Sequence, residues 1–163
     1  MKIQIVNEKD ELIGVKERSE IDYTADIYRV SALWLTNSLG QALLAKRAAT
    51  KDKDPGRWGP AVAGTVEEGE TYDSNIYKEA EEEIGLTGVR FTRGKKLYRR
   101  YPRRYFSQWY FGVVNREIDD FTRQIEEVDE LAWVKMDELQ QDIRDNPDKY
   151  ISGMVLMISE LEL

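Results

Sequence analysis

The sequence predicts an α/β (α+β) chain: a central mixed sheet between helices, an α/β/α sandwich preceded by an N-terminal β-hairpin extension. Three observations lead there. Runs rich in β-branched and aromatic residues precede, flank and follow one amphipathic helical segment in the middle of the chain. The length of 163 residues suits one ordinary domain able to bury a substantial core. No internal repeat, low-complexity tract or linker divides the chain, so residues 1–163 are expected to form a single domain.

Residues 2–6 and 11–16 read as short strands around the turn Asn7-Glu8-Lys9-Asp10, and residues 1–26 make up the hairpin extension. A β-rich run spans Ile27 to Thr36, a turn follows at residues 37–40, and another strand runs from Gln41 to Lys46. Residues 51–59 are a polar loop closed by Pro55-Gly56, and Pro60 to Ala63 is a brief strand ending at Gly64. A helix is expected from Thr71 to Ile84, with Thr71 or Asp73 as its N-cap and Ile76, Tyr77, Ala80 and Ile84 as its apolar stripe. Gly85 suits the left-handed position after the last turn, with Leu86 packing back. Residues 89–100 and 104–114 read as paired strands turning near Pro102, and Leu131 to Val134 as a short strand. One helix begins at Asp137, and a last helix from about Asp148 places Ile151, Val155 and Ile158 at core spacing.

Composition narrows the chemistry. Hydrophobic residues make up 41% and charged residues 34%, as in a globular chain, and the net charge of −7 argues against broad attraction to nucleic acid. No apolar run reaches the roughly 18 residues of a membrane span, and Met-Lys-Ile-Gln-Ile does not read as a signal peptide; a cytoplasmic location is expected. Cysteine and histidine both count zero. No Ser-His or Cys-His nucleophile pair and no Cys/His zinc site can be built, so acid–base work falls to carboxylates, lysines, tyrosines or metal-activated water.

The stretch Gly64 to Leu86, GTVEEGETYDSNIYKEAEEEIGL, concentrates the candidates. Glu79, Glu82 and Glu83 stand at i, i+3 and i+4 and share one helical face. Like charges at those spacings cost a helix about 0.2–0.5 kcal/mol per pair. A hard divalent cation held by oxygen ligands would offset that repulsion, whereas a solvated acidic face is the plainer explanation for a Glu-rich helix alone.

The segment fits G-x5-E-x7-R-E-U-x-E-E-x-G-U, with U a bulky aliphatic, through Gly64, Glu70, Glu79, Glu82, Glu83, Gly85 and Leu86. In this it resembles the signature of the Nudix hydrolase family, residues 64–86 standing as the loop and helix of the Nudix box. Lys78 replaces the usual arginine, and Ala80 is smaller than usual. The resemblance implies a Nudix-type fold and a hydrolase that cleaves a diphosphate linkage in a nucleoside di- or triphosphate or a related derivative. It implies Mg2+ (or Mn2+) as cofactor, with Glu82, Glu83 and the Gly64 carbonyl as metal ligands. Glu79 would be a third ligand or base, and Glu70 a supporting acid. The partner would be a small-molecule diphosphate, and relatives of this kind are frequently homodimers. A non-catalytic nucleotide-binding module is the alternative reading.

Looser similarity to the isopentenyl-diphosphate isomerase subgroup runs through VNEKDELIG, LLAKRAATK and PGRWGPAVAGTVEEGE. It implies a diphosphate clamp at Arg47 and Lys51, with Arg29 as a further contact. The isomerase reaction needs a cysteine and histidines that this chain lacks, which leaves a prenyl-diphosphate-binding relative as a further alternative. Basic and aromatic residues interleave in KKLYRRYPRRYFSQWYF, residues 95–111. Most of these suit a twisted hairpin with aromatic cross-strand pairs, while one of Arg99, Arg100, Arg103 or Arg104 could meet a substrate phosphate. Glu126 or Glu127 is the expected downstream acid.

Overall fold

A computed structural model describes residues 1–163. Its axis is β3 (Ile27–Thr36), which pairs in parallel with β8 (Arg104–Val113) along its whole length. The opposite edge of β3 is shared in turn by β1 (Lys2–Val6), β6 (Val62–Thr65) and the start of β4 (Gln41–Arg47). Beyond that start β4 diverges, pairing with β5 (Trp58–Pro60) on one edge and β9 (Val128–Lys135) on the other. β2 (Leu12–Glu17) closes the hairpin with β1, and β7 (Thr92–Arg99) the one with β8. One parallel pair among antiparallel ones makes the sheet mixed, as expected.

Side-chain alternation along β3 assigns its two faces. Leu33 and Leu35 pack with Ile76, Ala80 and Ile84 of α1 (Tyr72–Ile84). Ala32 and Trp34 pack with Leu139 and Ile143 of α2 (Met136–Asp145) and with Met154, Met157 and Ile158 of α3 (Met154–Glu160). Helices therefore cover both faces. Each fully buried aliphatic side chain contributes about 1.5–3 kcal/mol relative to exposure. None of the helices is long and apolar enough to cross a membrane.

Several local expectations are corrected. The strand expected at 60–63 is two strands broken at Ala61. Thr71, not Asp73, caps α1, its hydroxyl accepting from the Ser74 amide at 3.0 Å while the Ser74 hydroxyl accepts from the Thr71 amide. Tyr77 leaves the apolar stripe for the surface, where it stacks on Phe91 at 4.6 Å and its hydroxyl accepts from the Phe91 amide. Tyr72 and Asn75 are buried in its place. The last helix begins only at Met154, after Gly153 in the left-handed region, so Met154 and Met157 point inward and Val155 stays 60% exposed.

The hairpin extension is pinned by one carboxylate. Asp10, at φ 62°, accepts from Arg29 Nε at 2.7 Å, from the Tyr72 hydroxyl at 3.0 Å and from Lys96 Nζ at 2.5 Å. Burial alone would push Asp10 up, but the Lys96 and Arg29 cations outweigh it and hold its carboxyl below the usual range. The turn of the extension, β3, β7 and α1 thus meet at one buried group.

Asp10→Asn keeps the shape and tolerates the left-handed backbone. It should lower stability by about 2 kcal/mol at neutral pH in urea denaturation. Because the native pKa is depressed, the difference from wild type should shrink as pH falls through it.

Candidate active site

The turn before α1 and the helix itself converge on Gly64. A Cβ at that position would stand 2.3 Å from Glu79 Cγ, so glycine there leaves the Glu79 side chain room to lie against β6. At the other end Gly85 takes φ 66°, its amide bonding to the Ala80 and Glu81 carbonyls while Leu86 packs into the core. Carbonyls of the last turn then receive the Thr122 amide (on Ile84, 3.1 Å) and the Gln124 amide (on Glu83, 2.9 Å). That graft delivers Glu127 to the same place.

The result is a cleft of about 630 Å3, lined on one side by Gly64, Glu67, Glu79, Glu82, Glu83 and Glu127. Glu83 is only 8% exposed and forms no ion pair; the Ala63 backbone amide and the charge of Lys51 are all that favour its ionised form. Burial first, then the neighbouring Glu79 and Glu127 charges, push its carboxyl well above the usual range, with Lys51 opposing. Glu79 is raised too, by burial above all, with Lys78 opposing and Glu82 adding to the rise. These are oxygen donors short of positive charge. No three of them converge as a closed coordination shell in the chain alone. Magnesium does not demand one, since it is held by one or two carboxylates with substrate phosphates and water completing its octahedron. The donor set therefore fits a hard divalent ion.

Lys78 does not face the cleft as a spare cation. Its Nζ reaches Glu67 at 2.9 Å, Glu70 at 2.5 Å and Glu79 at 3.6 Å, bracing the loop against the helix. Glu70 also accepts from the Glu67 amide and Asn75 Nδ2, both at 2.9 Å, and lies outside the cleft lining. Burial opposes its ionisation, yet Lys78 and these donors hold Glu70 below the usual range. Its place is to hold the loop. Glu67, passed over in the sequence, lines the cleft; it lacks a fixed place in the motif, and only the loop's turn reveals it.

The basic candidates divide by strand parity. Tyr28, Val30 and Ala32 line the cleft, so Arg29 points to the opposite face, where it meets Asp10, Gln4 and the Tyr72 ring. Its expected substrate contact is therefore corrected to a structural one. Arg47 and Lys51 do line the cleft, Lys51 paired with Glu127, while Arg47 Nε donates to the Lys53 carbonyl at 2.8 Å. Of the two downstream acids only Glu127 enters; Glu126 is exposed.

Residues 27–153 match the NUDIX domain. This chain belongs to that family. Nudix hydrolases act on diphosphate bonds and generally use divalent metals. A prenyl-diphosphate phosphatase of Methanosarcina mazei is 31% identical over 154 residues, 93% of this chain and 89% of its own. An uncharacterized Nudix hydrolase of Yersinia pestis is 28% identical over 139 residues, 84% of this chain and 74% of its own. The crystal structure of DR0079 from Deinococcus radiodurans matches with a TM-score of 0.87 at 20% identity, covering 100% of both chains.

Raised native pKa values give the acidic wall a definite pH signature. Ionising Glu79 and Glu83 opposes the fold when no cation is present, so their contribution is most favourable below the ordinary glutamate pKa and is lost as pH rises through the native values. In chelator, the thermal midpoint of wild type should fall with rising pH more steeply than that of Glu83→Gln. Added Mg2+ should raise it more at about pH 8 than at about pH 5.

Proposed function

We propose that this Nudix protein hydrolyses a diphosphate linkage in a nucleoside di- or triphosphate or a related nucleoside diphosphate derivative. The carrying observation is Glu83, a carboxylate buried beside Glu79 and Glu127, where Lys51 and the Ala63 amide do not offset the cost of its charge and no ion pair is made. Glu82, Glu83 and the Gly64 carbonyl would hold Mg2+ or Mn2+, with Glu79 as a third ligand or as base. When bound, the ion supplies positive charge against the diphosphate oxygens and acidifies water.

The chain's own groups then have separable tasks. Arg47 and Lys51, which line the same cleft, would orient the diphosphate beside the acids. Water attacks phosphorus, the bridging P–O bond breaks, and a monophosphate leaves with the bonding pair. Glu79, whose burial keeps its proton affinity high, takes the proton from the attacking water. Glu127, braced by Lys51, adds the downstream acid. Lys78 sets the rotamer of Glu79 through the shared contact at 3.6 Å.

A second reading has its own support: the likeness to the Methanosarcina mazei prenyl-diphosphate phosphatase extends over 93% of this chain. There the same acids would act on a diphosphate carrying a hydrocarbon. A phosphate-release screen over nucleoside diphosphates, nucleotide sugars and prenyl diphosphates, with Mg2+ or Mn2+, separates the two. Release from nucleoside compounds is expected; release confined to prenyl diphosphates would favour the second reading.

In that screen Glu83→Gln should lower kcat by about 100-fold or more. Lys78→Arg, which restores a bidentate fork, should keep or raise turnover. A large fall in the arginine variant would mean that the carboxylates depend on the ammonium's three-way contact.

A further inference from the structure

The same cleft has a second pole. Away from Gly64 it is lined by Lys53, Arg103, Tyr28 and Tyr105, with Asp52 and Asp54 also in the lining. Lys53 and Arg103 make no ion pair, whereas Lys51 is paired with Glu127 and Arg99 with Glu160. Lys53 lies over the Tyr105 ring at 5.2 Å, and Arg103 over the Tyr23 ring at 4.0 Å.

 Burial works against the Lys53 charge, and the nearby Arg103 and Arg47 cations work against it further, with only Asp54 opposing. Asp54 itself is turned to Arg57 at 3.7 Å and to the Ser152 hydroxyl at 2.9 Å. Burial, with the Tyr105 phenol beside it, pushes the Tyr28 hydroxyl up to about 12, so it stays protonated at neutral pH. Like charges in a half-buried cleft repel, and Asp54, shared with Arg57 and Ser152, answers them only in part.

Strand geometry separates this pole from the acids. Gly64 pairs with Ser31, and Tyr105 pairs with Tyr28, three residues back along β3. At roughly 3.3 Å per residue the two poles stand about 10 Å apart along the strand. A diphosphate gripped at Gly64 leaves the second pole to the other end of the substrate.

We infer that Lys53 and Arg103, flanked by the Tyr28 and Tyr105 phenols, form a second anion site that takes a phosphate carried at the end of the substrate remote from the cleaved bond. The inference rests on the proposed diphosphate chemistry and narrows it to substrates phosphorylated at both ends. A hydrocarbon tail would strand both cations without a partner.

Calorimetry with adenosine 3′,5′-bisphosphate and with AMP, in Mg2+, tests this without turnover, because neither compound contains a diphosphate. The bisphosphate should bind at least about tenfold more tightly than AMP, as expected for one added charge-assisted contact. Lys53→Met/Arg103→Gln should erase that preference, and Tyr105→Phe, which keeps the ring, should reduce it a few-fold. Unaltered thermal midpoints would show that the variants fold. Equal affinity for the two compounds in wild type, no binding of either, or a preference that survives in the double variant would overturn the inference. Failure of the hydrolase reading shows separately, as absence of phosphate release from every diphosphate in the screen.

Discussion

The approach of α1 to β6 at Gly64 sets the terms for everything around it. A single missing methyl group lets the Glu79 side chain lie against the strand backbone, while the packing of Ile76, Ala80 and Ile84 seats the helix. With the helix so placed, Glu83 is largely buried in the cleft wall. A carboxylate in that position is costly to ionise, and the neighbouring acids add to the cost. The fold tolerates this because Ile76, Ala80 and Ile84, on the same helix, are wholly buried against β3. Apolar packing and electrostatic strain are thus two sides of one helix position, which is how a site with unmet charge survives in a stable chain.

Positive charge around the acids is rationed by geometry. Lys78 is committed to three carboxylates, two of them in the cleft wall, Lys51 to Glu127, and Arg29 to Asp10 on the far face of the sheet. None of these neutralises Glu83 directly. A lysine in the position where the family has arginine gives up the fork but gains contact with Glu67, Glu70 and Glu79 from one ammonium. The loop and the helix stay tied by charge, with freer rotation at the joint.

Much of this was legible before any coordinates. The acids at i, i+3 and i+4 and Gly85 behind them mark the helix, its C-terminal end and its charged face, because these signals are local, while the N-cap stays open between Thr71 and Asp73. The mixed sheet followed from strands on both sides of that helix. Arg29 was misjudged because alternation shows that neighbours in a strand face opposite ways, not which way the cleft lies. Glu127 could not be chosen over Glu126 because its position depends on amides docking at the end of α1. The start of α3 was missed because Gly153, in a left-handed turn, resets the helical phase and brings Met154 and Met157 inward in place of Val155.

The division of labour in β3 and β8 has an evolutionary reading. Even-numbered positions of β3 (Tyr28, Val30, Ala32) and odd-numbered ones of β8 (Tyr105, Ser107, Trp109) line the cleft, Ala32 and Trp109 also packing in the core under α2 and α3, while their neighbours serve the core under α1. Drift at those six sites can remodel selectivity rung by rung, leaving the hydrolytic apparatus undisturbed. An indel of one residue in either strand would instead exchange floor for foundation, so diversification here is confined to substitution.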